Sequence, residues 1–449
     1  MPYTVEEQRP DFDIATPDII IDGGTLLTMV EGEAPVKDAS VFIKGNRIMD
    51  IRQGTMPPFP AGAEIIDAEK CIIMPGLINS HCHAAMTLFR GFADDLSLRE
   101  WLFEKIFPLE ATHATPDNVY WGALLGCLEM IASGTTAFID GYFFQDETVK
   151  AVHKAGLRAV IGQGVIDFPA PGVRNPMENI RIGREFIERH LHLSDLITPG
   201  IFCHSPVTCS NNTLIKAMEI SIDYSLPMQI HLSETINEVD EIIKRTGKRP
   251  AVYLNELGIL NNSLIAAHSV HLNDNEIELL WEKGVRIVHA PESNMKLSSG
   301  VARMSEMINK GIRPGIGTDG CASNNNLDLF KEMDMAAKLG KVFTGNTVNM
   351  SAAKVLKMAT SWGAEIMGLE NYTGTIEKGK DADIIVIDTR SPHMTPLYNP
   401  VSSIVYSAEG CDVKDVIVNG RILMRDRIFL TLDQEEIMAR VSAISRGIK

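Results

Sequence analysis

Twelve histidines occur in the 449 residues, and two pairs are spaced His-x-His: His81-Cys82-His83 and His190-Leu191-His192. On a strand, residues i and i+2 share a face, so His81 and His83 can reach one metal ion together. The second pair closes a stretch of helical spacing, where residues two apart point in different directions, and reads as a solvated helix end. A catalytic divalent cation takes three or four N and O ligands and keeps one position for water. His231 and Asp319 complete such a set. Alone, His231 is a satisfied core histidine and Asp319 a turn former before Gly320, but jointly those readings lose weight. Glu234, three residues past His231, is placed to lean over the cation without ligating it. A hydrolysis needs such a group to move protons between water, substrate and leaving group. His268 is the natural partner to orient the water, whereas His271 faces elsewhere and reads as structural.

These residues need elements that bring them together. From Ile72 onward, short apolar runs alternate with helical stretches, and eight of the runs read as strands: CIIMPGLINSH, GTTAFID, LRAVIGQGVID, ITPGIFCHS, PMQIHLSE, LIAAHSV, VRIVHAPE and IRPGIGTDG. Helices are expected between them, for instance over Pro116 to Ile131, capped by Thr115, and over Ile180 to His192. Strand and helix alternating eight times predicts a parallel closed barrel, whose working side chains come from the C-terminal strand ends. His81, His83, His204, His231, His268, His289 and Asp319 all fall at such ends. Outside this region, Asp18 to Val30, Ser40 to Ile51, Asp383 to Asp388 and Val413 to Met424 read as strands joined by turns. Asn419-Gly420 is a hairpin signal. Both chain ends therefore supply one small β domain beside the barrel.

Two further motifs carry no chemistry. Gly315-Ile-Gly-Thr-Asp-Gly320 fits a dinucleotide pattern, yet loop residues follow it instead of a helix. Gly374 to Lys380 nearly matches a phosphate-binding loop, but Asp381 stands where a hydroxyl must meet Mg²⁺, so it reads as a turn.

Composition narrows the function classes. A chain 45% hydrophobic and 22% charged can build a large core. A formal charge of −16 repels phosphate backbones and anionic membranes, so neither nucleic acid nor membrane is an expected partner. No apolar run approaches a membrane span, and MPYTVEEQRP lacks the order of a signal peptide, which predicts a soluble, cytoplasmic protein. Seven cysteines without a Cys-x-x-Cys pair predict reduced thiols and argue against a cysteine zinc site.

The segments PGLINSHCH, HLSET, HSVH and GTDGCASNNN resemble the amidohydrolase superfamily, and within it the 5-methylthioadenosine/S-adenosylhomocysteine deaminases, over nearly the whole chain. The resemblance implies an α/β fold in which a distorted (β/α)8 TIM-type barrel, residues 73–373, stands beside a small β-sandwich assembled from residues 1–72 and 374–449. It implies one divalent metal, usually zinc, although the same ligands suit iron or manganese. By similarity His81, His83, His231 and Asp319 are metal ligands, Glu234 shuttles protons and His268 orients the water. Similarity also puts Glu110, in FPLEATH, on the ribose hydroxyls and makes Arg174 and His204 substrate contacts. The implied reaction is hydrolytic deamination at C6 of an adenine nucleoside, giving the inosyl product and ammonia. Asp319 accepts the proton of the water, and Glu234 protonates ring N1 and then helps the amine leave. Similar enzymes often form dimers or tetramers, so a homo-oligomer is open.

One departure bears on the substrate: Gln163-Gly-Val-Ile-Asp167 replaces the Arg-Gly-Leu-Val-Asp of many relatives, which favours a neutral 5′-substituent over S-adenosylhomocysteine. His289-Ala-Pro-Glu-Ser-Asn294 also differs from the usual Asn-Pro-Ala-Ser-Asn. Three other readings compete. Similar barrels process guanine, other aminated heterocycles or s-triazines, for which a ribose-binding Glu110 has no use. A binuclear site needs a lysine at the fourth strand end, where Cys203-His204-Ser205 stands. A non-catalytic assembly protein would be expected to have lost ligands, and none is missing.

Overall fold

The computed structural model describes residues 16–54, 59–60 and 62–448. Met1 to Pro10, read above for a leader segment, lie outside these.

Five strands precede the barrel: β1 (Ile19–Leu26), β2 (Val36–Lys44), β3 (Arg47–Gln53), β4 (Glu64–Asp67) and β5 (Cys71–Pro75). The barrel strands are β6 (Leu77–His83), β7 (Thr135–Tyr142), β8 (Arg158–Val165), β9 (Ile197–Cys203), β10 (Met228–Leu232), β11 (Leu264–His268), β12 (Arg286–His289), β13 (Gly315–Ile316) and β14 (Asp319–Gly320). Four more follow: β15 (Ile384–Asp388), β16 (Val413–Val418), β17 (Arg421–Arg425) and β18 (Ile428–Phe429).

β6 to β12 pair in parallel, neighbour to neighbour. The expected eighth strand is split: β13 pairs with β12 and β14 pairs with β6, so the segment 315–320 closes the ring. Gly317 lies in the break because a Cβ there would come within 2.6 Å of the His81 carbonyl oxygen. At the end of the barrel away from the site, Ile78, Ala137, Ile139, Val160, Ile265 and Val288 pack with Ala364, Ile366 and Met367 from the helix Ser361–Met367. Burying each isoleucine, valine and methionine of this group contributes about 1.5–3 kcal/mol. The helix over Pro116–Ala132 forms as expected, with Thr115 Oγ1 accepting from Asn118 N–H.

The strands from the two chain ends form one mixed sheet in the order β18-β17-β16-β15-β5-β1-β2-β3, with β4 on β1. It has its own core, which includes Ile21, Val41, Ile43, Ile66, Ile73, Ile384, Val386 and Ile417. The β16–β17 turn is Asn419-Gly420, both at positive φ, as a two-residue hairpin requires. The stretch Ser40 to Ile51, read as strand, falls in β2 and β3, which are joined by a turn at Gly45-Asn46. The expected division at 72/73 falls inside β5, and the chain passes between the two sheets at Gly76. All seven cysteines are thiols, and among the described residues no helix is long and apolar enough to cross a membrane.

Arg158 on β8 joins the two sheets. Its guanidinium lies 2.9 Å from Asp381 and 3.0 Å from Asp383, and all three side chains are buried. Asp381 keeps Arg47 at 3.0 Å, but removing Arg158 leaves the buried Asp383 without a cation among the described residues, so Arg158→Ala is expected to lower stability by about 3–5 kcal/mol. Urea unfolding checks this; a loss under about 1 kcal/mol, the range of surface pairs, would contradict it.

Candidate metal centre and substrate cavity

The strand ends bring the sequence-predicted ligands together. His81, His231, His268 and Asp319 offer ligand atoms all within 4.8 Å of one another. His231 Nε2 lies 3.2 Å from His81 Nε2, and Asp319 Oδ1 lies 3.6 Å from His81 Nε2 and 3.2 Å from His83 Nε2. The neighbours of these groups fix their orientation. His83 Nδ1–H donates to the Gly141 carbonyl at 2.5 Å, which turns its Nε2 lone pair toward Asp319. Asp319 Oδ2 accepts from Ser293 Oγ at 2.6 Å and Ser323 Oγ at 2.9 Å, leaving Oδ1 for the cluster. Ring nitrogens and a carboxylate oxygen facing one another this closely repel unless a proton or cation lies between them. N and O donors from four strand ends, with His83 and Asp319 braced from behind, fit a divalent cation.

Electrostatics agree with that fit. Burial holds His81 down to about 4, and burial plus the surrounding histidines hold His231 well below the ordinary range, so both are neutral donors. Burial alone would raise Asp319, but His81 and His83 beside it hold it well below the usual carboxylate range. Asp319 is therefore ionised. The backbone is strained here too: Ser233, His268 and Asp319 have φ of 49°, 68° and 59°, a region that non-glycine residues enter at a cost and mostly at functional sites.

Glu234 and His268 sit beside this group. His268 Nδ1 is hydrogen-bonded to Asn294 Oδ1 at 2.9 Å, and its Nε2 lies 3.7 Å from Glu234 Oε2. Ser299 Oγ donates to Glu234 Oε1 at 3.1 Å. Burial raises the Glu234 carboxyl above its ordinary value despite the opposing pull of His268. Burial lowers His268, but Glu234 and Asp319 outweigh it and the net direction is up.

An inner cavity is lined by His83, His204, His231, Glu234, His268 and Asp319. Glu110, on the helix Phe107–His113, also lines it and accepts from Tyr142 Oη at 2.7 Å. His204 is there with its Nδ1 hydrogen-bonded to Thr208 Oγ1, and burial holds it down to about 3, hence neutral. Arg174 is different: it lies exposed on the loop after β8 and lines neither this cavity nor the outer one that adjoins it. Gln163 is buried in β8 and likewise lines neither, so its neutrality does not alter the cavity walls.

His289 is buried at the β12 end, outside the inner cavity. His271 Nε2–H donates to the Ser299 carbonyl at 2.6 Å and lines the outer cavity. The expected solvated helix end is half right. His192 is exposed, but His190 is buried against Phe186 and lies 2.6 Å from Asp146.

Sequence reasoning missed the apolar wall and the bracing residues. Leu98, Trp101, Leu102, Ile106 and Phe107 line the inner cavity from a short helix that passes through a π-helical turn at Trp101–Ile106, a conformation frequent at functional sites. The apolar run in LREWLFEKIFPLE was the available signal. Glu238, which lines both cavities, is marked in the sequence only by Thr235-x-x-Glu238, a capping box that the structure forms. Burial and then Glu234 push its carboxyl up to about 7.

Residues 72–423 match the amidohydrolase family. The chain is 44% identical over 435 residues, covering 96% of this chain and 98% of the relative, to 5-methylthioadenosine/S-adenosylhomocysteine deaminase 1 of Syntrophus aciditrophicus. It is 43% identical over 429 residues, covering 95% and 98%, to the 5′-deoxyadenosine deaminase of Methanosarcina acetivorans. A crystal structure of an adenosine deaminase from Xanthomonas campestris with bound zinc superimposes with a TM-score of 0.93 at 32% identity, covering 96% of this chain and 99% of that one. On a matched span of this length and relatives of this identity, the chain belongs to the amidohydrolase family.

Proposed function

We propose that this enzyme hydrolytically deaminates C6 of an adenine nucleoside, such as 5′-methylthioadenosine, 5′-deoxyadenosine, adenosine or S-adenosylhomocysteine, with zinc as its metal. The observation that carries the reading is the pairing of a proton-transfer carboxyl, Glu234, with a second buried carboxyl, Glu110, in one cavity. The first suits an aromatic ring nitrogen and the second a sugar diol. The names of the relatives support the same substrate class.

His81, His83, His231 and Asp319 would hold the cation. A divalent cation there supplies the Lewis acidity that brings the ionisation of water near neutral pH. Asp319, ionised and tied at Oδ2, accepts the water proton at Oδ1. His268, fixed by Asn294, orients the attacking oxygen from the Nε2 side. Glu234, in its protonated form, gives its proton to ring N1 as oxygen adds to C6. The Glu234 carboxylate then takes up the proton that Asp319 accepted and passes it to the exocyclic nitrogen, the C6–N bond breaks, ammonia leaves, and the remaining hydroxyl proton at C6 returns to Glu234 as the inosyl carbonyl forms. The apolar wall around Trp101 and Phe107 excludes bulk water, which strengthens each of these interactions.

Glu110 gives the reading a pH signature. Burial pushes its carboxyl up to about 7, against the lowering effect of the Tyr142 hydroxyl. A ribose diol donates to the carboxylate form, which becomes populated as pH rises through that value. The kcat/KM for a nucleoside is therefore expected to climb between about pH 6 and pH 8, with the midpoint set by this group. Glu110→Gln should flatten the climb and cost about 10- to 100-fold, the worth of hydrogen bonds to a charged acceptor. A full-rate variant with the same climb would remove Glu110 from ribose binding.

Ammonia release from adenosine, 5′-deoxyadenosine, 5′-methylthioadenosine, S-adenosylhomocysteine and guanine tests the substrate class. Turnover of the nucleosides is expected. Turnover of guanine alone would overturn the reading.

A further inference from the structure

Beneath the ligand residues lies a polar cluster that the deamination steps do not use. Its centre is Asp140 on β7, whose side chain is completely buried. Its Oδ1 accepts from the Ala84 N–H at 2.6 Å and from the Cys82 thiol at 3.6 Å. Its Oδ2 accepts from Gln145 Nε2 at 2.6 Å, and the same amide donates to the Gly162 carbonyl of β8 at 3.2 Å. The Asp140 backbone carbonyl accepts from Gln229 Nε2 at 3.1 Å, and Gln229 stands on β10 two residues before His231. The next carbonyl along, Gly141, is the one that holds the His83 ring.

The backbone explains why a side chain is needed at this point. Along the β6–β7 ladder Asn79 faces Phe138 and Cys82 faces Asp140, three steps on one strand against two on the other. The extra residue makes a bulge at Ser80–His81, and bulges beside active sites re-aim side chains while interrupting the ladder. Directly after His83 the chain enters the 3-10 helix Ala84–Phe89, which gets no cap from the His83 side chain. The Asp140 carboxylate supplies that cap from the neighbouring strand, and an anion is favoured at a helix N-terminus. One buried residue thus ties the end of β6, the adjoining β8 and, through Gln229, the strand that carries His231.

We propose that Asp140, braced by Gln145, is a positioning residue that sets where His81, His83 and His231 stand toward the cation. This rests on the metal-site reading given above but not on the choice of substrate. Groups that orient metal ligands from behind commonly change metal affinity 10- to 100-fold when removed. A residue that only stabilises the fold changes the melting temperature and leaves the affinity alone.

The test is metal binding by the full-length protein after stripping with a chelator, titrated with Zn²⁺ against a chromophoric competitor, and with Co²⁺ to record its visible absorption. Asp140→Ala and Gln145→Ala are expected to bind Zn²⁺ about 10- to 100-fold more weakly than the unmodified chain and to alter the Co²⁺ band. Asp140→Asn should restore most of the affinity. Its Oδ1 can still cap Ala84, and Gln145, whose Oε1 makes no hydrogen bond among the described residues, can turn to accept from the new amide. Should Asp140→Ala fail to fold, Gln145→Ala decides. Unchanged Zn²⁺ affinity and Co²⁺ spectrum in Gln145→Ala, with only a lower melting temperature, would overturn the proposal. Asp140→Asn binding as weakly as Asp140→Ala would overturn it too. An unmodified chain that binds no Zn²⁺ would instead sink the metal site itself.

Discussion

The Glu234→Gln enzyme is expected to keep its metal and lose about 100- to 10,000-fold in kcat, the usual worth of a positioned acid–base group. Gln matches Glu in shape and still accepts from Ser299 Oγ, which lies 3.1 Å from Glu234 Oε1, so packing should survive. What it loses is a proton that can be given to the ring and then relayed. The sign of the pH effect follows from burial, which raises this carboxyl above its ordinary value and extends the protonated form toward neutral pH. Activity should therefore fall on the alkaline side as Glu234 loses its proton, and that limb should vanish in Glu234→Gln. Metal analysis, steady-state rates and a pH profile on one nucleoside decide the matter. Near-normal kcat in the variant would exclude Glu234 from proton transfer.

Removing the metal is expected to have an effect at least as large. A cation contributes several kcal/mol of charge stabilisation, at about 1.4 kcal/mol per factor of ten, so chelation should lower the rate by roughly a thousandfold or more. One equivalent of Zn²⁺ per chain should restore it. His81 and His231, held as neutral donors by burial, need lose no proton to bind the ion at pH 7, whereas burial lowers His83 but Asp319 and Asp140 outweigh it, so that ring gives up a proton as the ion binds. Activity that survives complete chelation would remove the cation from the reaction, whereas restoration by Fe²⁺ or Mn²⁺ but not Zn²⁺ would keep the site and change the metal.

Much of this was legible from residue spacing. The pattern of short apolar runs separated by helical stretches located the barrel strands, because both faces of a parallel sheet are covered and its strands read as continuous hydrophobic runs. Histidines at the ends of those runs then identified the rim where the site stands. The split of the last strand was not legible. It depends on Gly317 meeting the His81 backbone, a contact between residues far apart in the chain. For the same reason the bracing groups escaped notice: Ser293, Ser323 and Asn294 are ordinary polar residues until folding sets them against Asp319 and His268. Arg174 shows the converse. A residue assigned by similarity to substrate contact stands exposed on a loop, outside the cavity lining.

Two imidazoles compete for one place in the cluster, since His268 joins the ligand atoms of His81, His231 and Asp319 within 4.8 Å while His83 lies 3.2 Å from Asp319. Anomalous diffraction at the zinc edge from crystals of the zinc-loaded protein tests the arrangement most directly. The expected result is a single peak at roughly 2.0–2.2 Å from ring nitrogens of His81, His83 and His231 and a carboxylate oxygen of Asp319, with His268 further away beside Glu234. A peak that Asp319 or His231 does not touch, or one bound by His268 in place of His83, would contradict the roles assigned to these side chains.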